Sequence, residues 1–172
     1  GEMIANTGMA VAHRIYQVRI GGDLALFKGV MKHLLDMDTQ AQATHSHRVL
    51  DEAFIAEHTI GFEALRADLA AASWESLVEQ SGIALDDIRE LAELYAAAPA
   101  AMATWCMGLT HHENGVHTIQ TLVNLLLLRG NIGRPGAGAV PVRGHSNVQG
   151  DRTMGATSVV SERWLDNMTS AF

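Results

Sequence analysis

The sequence predicts an α/β fold: a Rossmann-like parallel sheet with flanking helices, incomplete because it is part of a larger domain. Three observations carry that expectation. Residues 13–36 and 100–129 each run from an apolar strand pattern through a polar turn into a helix-periodic stretch. Both turns sit at the carboxyl end of their strand, where ligands of open α/β sheets bind. Residues 129–155 are then rich in glycine and arginine, a loop by composition, and loops of that length inside a compact domain are usually functional.

The totals bound the function. With 172 residues, 48% of them hydrophobic and 18% charged, the chain has the composition of a globular protein that can bury a core. A net charge of −7 argues against nucleic acid as a partner, because phosphate backbones are bound through basic faces. Any anion site must therefore be local. The single cysteine, Cys106, excludes an internal disulfide and by itself cannot hold an iron–sulfur cluster or a thiolate zinc site. The first residues lack a basic start followed by an apolar core, and the best candidate for a membrane span, 96–109, is broken by Pro99. The expectation is a soluble cytoplasmic protein without membrane insertion.

Taken in order, residues 1–12 carry no strong pattern and suit a short helix or a frayed end. Residues 13–20 set Ile15, Val18 and Ile20 among polar or aromatic neighbours, a strand signal. After Gly21-Gly22-Asp23, the residues Leu24, Leu26, Phe27, Val30, Met31, Leu34 and Leu35 recur at helical spacing, predicting a helix over 23–36. Asp23 is either its N-cap, the commoner role, or a partner for a guanine or ribose edge. The polar stretch 38–47 predicts a surface loop; His45 and His47 alternate as metal ligands can, but no third ligand is near in sequence. Short helices are expected at 50–57, 62–72 and 74–80. A longer one opens at 82–87, with Ile88, Leu91, Ala92, Leu94 and Tyr95 on one face and Pro99 as its stop.

Residues 100–107 suit a buried parallel strand. They lead into the polar loop 108–115, which holds His111 and His112, and then into a helix over 116–129 with Ile119, Leu122, Val123, Leu126 and Leu127 on its apolar face. A loop histidine is more often solvated than ligating. Residues 159–172 suit a terminal helix with Trp164, Leu165 and Met168 on one side. The chain thus divides into a binding segment, 1–155, and a C-terminal helix or tail, 156–172.

In the glycine-rich stretch, Gly130, Gly133, Gly136, Gly138, Gly144, Gly150 and Gly155 are interspersed with Arg134, Arg143 and Arg152. Glycine permits positive φ and close approach of other atoms, so this backbone suits wrapping around an anionic ligand with many oxygens. A flexible linker is the alternative, but a linker has little use for His145, Ser146, Asn147 and Gln149.

Three stretches carry a further signal: Gly21-Gly22-Asp23-Leu24-Ala25-Leu26, then Trp105-Cys106-Met107-Gly108-Leu109-Thr110-His111, then residues 127–138 continuing as Pro141-Val142-Arg143-Gly144-His145-Ser146-Asn147-Val148-Gln149-Gly150. Together they resemble the central cofactor-binding segment of the alpha (catalytic) subunit of molybdopterin-dependent formate dehydrogenases and their relatives in the dimethyl sulfoxide reductase superfamily. The resemblance covers residues 14–155 and implies a Rossmann-like domain that helps hold a molybdenum bis(molybdopterin guanine dinucleotide) cofactor. It implies that Gly21 and Asp23 contact the guanine dinucleotide, that Met107, Gly108 and His111 lie against the pterin, and that Gly144, His145 and Asn147 also contact the cofactor. Arg143 is implied as the catalytic residue that would hold a formate-like carboxylate. In the full-length protein the resemblance implies two-electron oxidation of a small substrate such as formate, an electron-transfer partner of unknown identity, and a [4Fe-4S] cluster only in N-terminal polypeptide outside this stretch. The segment alone is expected to be inactive, because the cofactor carries the chemistry. Side-chain chemistry agrees: a guanidinium offers bidentate donors to a carboxylate, and glycine-exposed amides suit pyrophosphate.

The chain departs from the family pattern at His111 and His145, where glutamine is usual, and at Ser146, where asparagine is usual. Histidine can donate a proton near neutral pH and glutamine cannot. The family's metal-ligating cysteine or selenocysteine has no match here, and Cys106, at a strand end, is expected to be a buried, inert thiol. No residue is therefore assigned to the metal. The competing reading is a stand-alone α/β module that binds a nucleotide or a partner without redox activity. A nicotinamide-dependent dehydrogenase is weaker still, since Gly21-Gly22-Asp23 lacks the GxGxxG spacing.

Overall fold

The computed structural model describes residues 12–155 and 161–171. In chain order its elements are α1 (Asp23–Ala43), α2 (Glu52–His58), α3 (Phe62–Ala71), α4 (Trp74–Ser81), α5 (Leu85–Ala97), β1 (Met102–Trp105), α6 (Met107–Thr110), α7 (Gly115–Leu127), β2 (Gly138–Pro141), α8 (Val148–Thr153) and α9 (Glu162–Ala171). The architecture is helix-rich α/β with a small parallel sheet, as the sequence predicts in class if not in the number of strands.

The core is organised by α1. Leu26, Val30, Met31 and Leu34 recur every three to four residues, so they form one face, and all four are buried. That face meets α3, α4, α5 and α7, whose Leu69, Ile88, Ala92 and Leu125 complete the cluster. Burying each of the larger side chains stabilises the fold by roughly 1.5–3 kcal/mol. Local signals set the helix ends. The Asp51 carboxylate accepts the Phe54 amide at 3.0 Å to start α2, and the Ser73 hydroxyl accepts the Ser76 amide at 3.2 Å to start α4. On α5 the expected apolar face holds, except that Leu94 is exposed.

Two expectations are corrected in this layer. First, α1 continues through Ala43 where a loop from residue 38 is expected. Polarity misleads there, because Asp38 is buried rather than solvated. Its Oδ1 accepts Arg48 Nε at 3.0 Å and the amides of Val49 and Leu50 at 2.8 and 3.0 Å, while Arg48 Nη2 bonds Asp38 Oδ2 and reaches Glu52 Oε1 at 2.6 Å. Burial pushes the Asp38 carboxyl up, but the Arg48 guanidinium and the two amides outweigh it and hold the carboxyl below its ordinary value. Second, residues 13–20 form no strand. Among the described residues they pair with no strand; Tyr16 and Val18 pack on the core, while Ile15 and Ile20 are 82% and 95% exposed. The segment is anchored instead to the end of α4, through the Arg19 amide on Ser81 O (2.9 Å) and Arg19 Nη1 on Glu79 O (2.7 Å).

The sheet consists of β1 and β2, paired in parallel from Met102 opposite Gly138 to Trp105 opposite Pro141. β1 was legible as a strand, although it is half-exposed rather than buried. β2 lies inside the glycine-rich stretch expected to be loop throughout, and so does α8. A buried polar latch fixes the start of β1: Asn131, 1% exposed, accepts the Ala101 amide at 3.1 Å and Arg134 Nη2 at 2.7 Å through Oδ1, and donates to Tyr95 Oη at 2.8 Å. Tyr95 Oη donates in turn to Leu125 O at 2.9 Å. Burial raises the Tyr95 phenol above its ordinary value, partly offset by the Asn131 bond and by Arg129 and Arg134, so it stays a neutral donor. At the C-terminus, α9 falls within the expected terminal helix; the expected frayed start, apart from Ala12, and residues 159, 160 and 172 lie outside the described residues. Among the described residues no helix is long and apolar enough to cross a membrane.

The Asp38–Arg48 cluster yields a test. Asp38→Ala leaves the Val49 and Leu50 amides without their acceptor and should lower the unfolding free energy by about 1–3 kcal/mol at pH 7. Because the folded carboxyl titrates below its unfolded value, this stabilisation is full above pH 4 and is lost as pH falls through the lower folded value. Urea denaturation of both proteins at pH 7 and pH 3 measures it; an equal gap at the two pH values would contradict the assignment.

Candidate functional site

The site is built where the two strands end. Parallel pairing carries one residue beyond the ladder, with the Val142 amide donating to Trp105 O at 2.7 Å, so the turns after β1 and β2 leave the sheet side by side. After β1 the chain turns at Cys106 into the single-turn helix α6, which folds back on α7. Gly115 makes that reversal possible: a β-carbon there would lie 2.8 Å from Thr110 O and 3.1 Å from Leu109 O. After β2 the chain runs through Val142, Arg143, Gly144 and His145 to Asn147, whose left-handed backbone (φ 57°) starts α8.

These two turns enclose one cleft of about 220 Å³. Cys106, Met107, Thr110 and His111 line it from the β1 turn, and Arg143, Gly144 and His145 from the β2 turn. The turns touch at Gly144, where a β-carbon would lie 3.3 Å from Met107 Cε. Arg143, His111 and His145 are exposed, and among the described residues their side chains make no hydrogen bond or ion pair. Among the described residues no carboxylate lines the cleft. Cys106 is half-buried and faces this space, rather than being buried in the core.

The remaining predicted residues lie elsewhere. Gly108 and Asn147 flank the cleft in sequence without lining it, and Gly21 and Asp23 are not among its lining residues. The 21–23 turn packs on the end of α4 instead: a β-carbon at Gly22 would lie 2.7 Å from Gln80 O. Asp23 is the first helical residue and Gly22 is the N-cap, so Asp23 acts on the positive end of α1 rather than capping it. Trp105, Pro141, Val142 and Val148 complete the cleft walls and are not among the predicted site residues; for the first three, their position at the strand ends is the signal that could have found them. Among the described residues no three His, Cys, Asp or Glu side chains are grouped to hold a metal ion.

Among the described residues four clefts are larger, of about 290, 370, 430 and 480 Å³. One of about 370 Å³ contains the mutually paired Asp38, Arg48 and Glu52. Another, of about 430 Å³, contains Arg129 and Arg134; Arg129 Nη1 and Nη2 donate to Val49 O and Ala98 O and Arg134 to Asn131, while Arg129 Nε is buried without a partner among the described residues.

The geometry has counterparts in known proteins. No protein-family model matches the chain. Protein YdeP of Escherichia coli strain K12 is 48% identical over 164 residues, 95% of this chain and 22% of that protein. Formate dehydrogenase H of Escherichia coli strain K12 is 43% identical over 106 residues, 62% of this chain and 15% of that enzyme. The chain is homologous to part of a formate dehydrogenase. It spans about a fifth of the length of the curated relatives it matches. The solved structure of acetylene hydratase from Pelobacter acetylenicus superimposes with a TM-score of 0.58 at 22% identity, over 69% of this chain and 15% of that one, which shows a shared fold.

The α6–α7 reversal predicts that Gly115→Ala lowers the unfolding free energy by about 1–3 kcal/mol, the usual range for forcing a methyl into a filled space. Chemical denaturation measures it. A variant as stable as the original would mean that α6 and the cleft wall can move aside.

Proposed function

We propose that the chain is the part of a larger oxidoreductase that forms one wall of a molybdopterin cofactor site, and that the full-length protein carries out a formate-dehydrogenase-like two-electron oxidation of a small anionic substrate. One observation carries the reading: two turns far apart in sequence, both at strand carboxyl ends, converge on a single cleft lined by Arg143, whose guanidinium makes no ion pair among the described residues. That is the crevice where open α/β sheets bind ligands. The homology to formate dehydrogenase H supports the same reaction class.

The residues fit one end of such a cofactor. The cleft is smaller than the roughly 300–1,000 Å³ of a site for a drug-sized ligand, so it can receive only part of a dinucleotide. Met107, Gly108 and His111 would hold it from one side, and Gly144, His145 and Asn147 from the other. Gly21 and Asp23 would contribute from their separate turn. When bound, the cofactor supplies the two-electron redox chemistry. Arg143 holds and orients the substrate carboxylate through its planar pair of donors, which a lysine could not reproduce. A separate nucleotide- or partner-binding module gains no specific observation.

The test is made on the full-length protein. Purified active protein should contain molybdenum or tungsten together with pterin, and its absence from active protein would overturn the reading. Arg143→Ala should lower turnover about a hundredfold or more, in line with the loss of a substrate-orienting contact, while metal and pterin content stay near the original. Equal loss of both would make Arg143 structural.

A further inference from the structure

The two outer edges of the sheet differ in chemistry. Along a strand, successive residues turn their backbone N–H and C=O groups to opposite edges, so every second residue serves one neighbour. On β1 the residues turned to β2 are Ala101, Ala103 and Trp105, because Ala101 O accepts the Gly138 amide at 3.3 Å and Trp105 O accepts the Val142 amide at 2.7 Å. Met102 and Thr104 therefore turn their amides and carbonyls to the outer edge of β1, where among the described residues they meet no backbone partner. On β2 the residues turned to β1 are Gly138, Val140 and Val142, which leaves Ala139 and Pro141 on its outer edge. Pro141 has no N–H, so within the strand the outer edge of β2 offers only the Ala139 donor, and a proline marks a strand that ends a sheet. The β1 strand, Met102-Ala103-Thr104-Trp105, carries no proline, glycine or charge to blunt its outer edge.

From this we infer that the outer edge of β1 is an interaction surface for a further strand, supplied by the same full-length chain outside residues 1–172, and that β2 is the terminal strand of the completed sheet. The inference rests on the reading of this chain as part of a larger oxidoreductase. The chain covers 22% of Protein YdeP, so most of the length of such a protein lies outside it. The chemistry of the edge selects the occupant. Met102 and Thr104 present donors and acceptors at strand spacing, which another extended backbone matches and a helix, whose backbone groups are bonded internally, does not. Parallel sheets, moreover, are normally covered on both faces and built from more than two strands. One consequence reaches the cleft. With both edges bonded, β1 becomes an interior strand and the turn bearing Met107 and His111 is held from two sides. The turn bearing Arg143 leaves a terminal strand held from one side, so it is the wall freer to adjust around a ligand.

Residue-resolved hydrogen exchange on the full-length protein tests this without any variant. The Ala103 and Trp105 amides bond β2 with or without a further strand, whereas the Thr104 amide is bonded only if one is present, so the neighbours serve as an internal standard. Thr104 should be protected to within about tenfold of Ala103 and Trp105, and Ala139 should be protected more than about tenfold less than Val140. The protection at Thr104 should not change when the protein is diluted, because the strand belongs to the same chain. Protection at Thr104 more than about tenfold below that of its two neighbours would overturn the inference, and so would Ala139 protected as well as Val140. Protection at Thr104 that falls on dilution would assign the strand to a second copy and overturn the inference as stated. The molybdopterin reading fails separately, on the metal and pterin content of active protein, whatever the exchange pattern shows.

Discussion

Parallel pairing between two four-residue strands is the constraint on which the candidate site depends. Met107 and Arg143 are brought to one cleft only because Trp105 lies opposite Pro141 and Val142 extends the ladder by one bond. So short a parallel ladder is weak on its own, since parallel sheets are normally covered on both faces. Its register is held from behind. Asn131 fixes the residue before β1, Arg134 ties the glycine-rich segment to Asn131, and Tyr95 links both to α7. Arg129 adds bonds to Val49 O and Ala98 O while lying over the Tyr95 ring. The apolar core around α1 therefore positions the site through this polar latch together with the packing of α6 and β2 on α7.

The same division explains the charge pattern. Acidic groups that are buried, such as Asp38, are satisfied by structural partners, and several exposed ones pair with lysine or arginine on the helical layer. At the strand ends Arg143, His111 and His145 have no such partners among the described residues. Unpaired cationic side chains on adjacent turns do not stabilise the fold, because like charges repel and lone surface charges gain little. On the reading offered here their placement serves a ligand.

Much of this was legible in the sequence. Helices α2 to α5 and α7 follow from apolar periodicity bounded by Asp51, Ser73 and Pro99, and β1 follows from an apolar run after that proline. The resemblance implies one cofactor against the 21–23, 107–111 and 143–147 turns; the second and third meet at one cleft, and Gly21, Asp23 and Asn147 are not among its lining residues. The failures share a cause, which is that local composition does not report distant partners. β2 reads as loop because Gly138 and Pro141 are poor strand formers, and its partner lies far back in sequence. The last turns of α1 read as loop because Asp38 looks solvated until Arg48 is placed beside it. Residues 13–20 read as a strand because alternation is local, whereas a strand needs a neighbour, and here the neighbour is a helix end.

The most direct measurement is an experimental structure of the full-length protein purified with its native small molecules. Non-protein density should occupy the space between Met107–His111 and Arg143–His145, with Arg143 directed at it and the β1–β2 pairing unchanged. Finding that space filled by the protein's own side chains, with a cofactor bound elsewhere or none bound, would contradict the assignment of these strand-end turns to ligand binding.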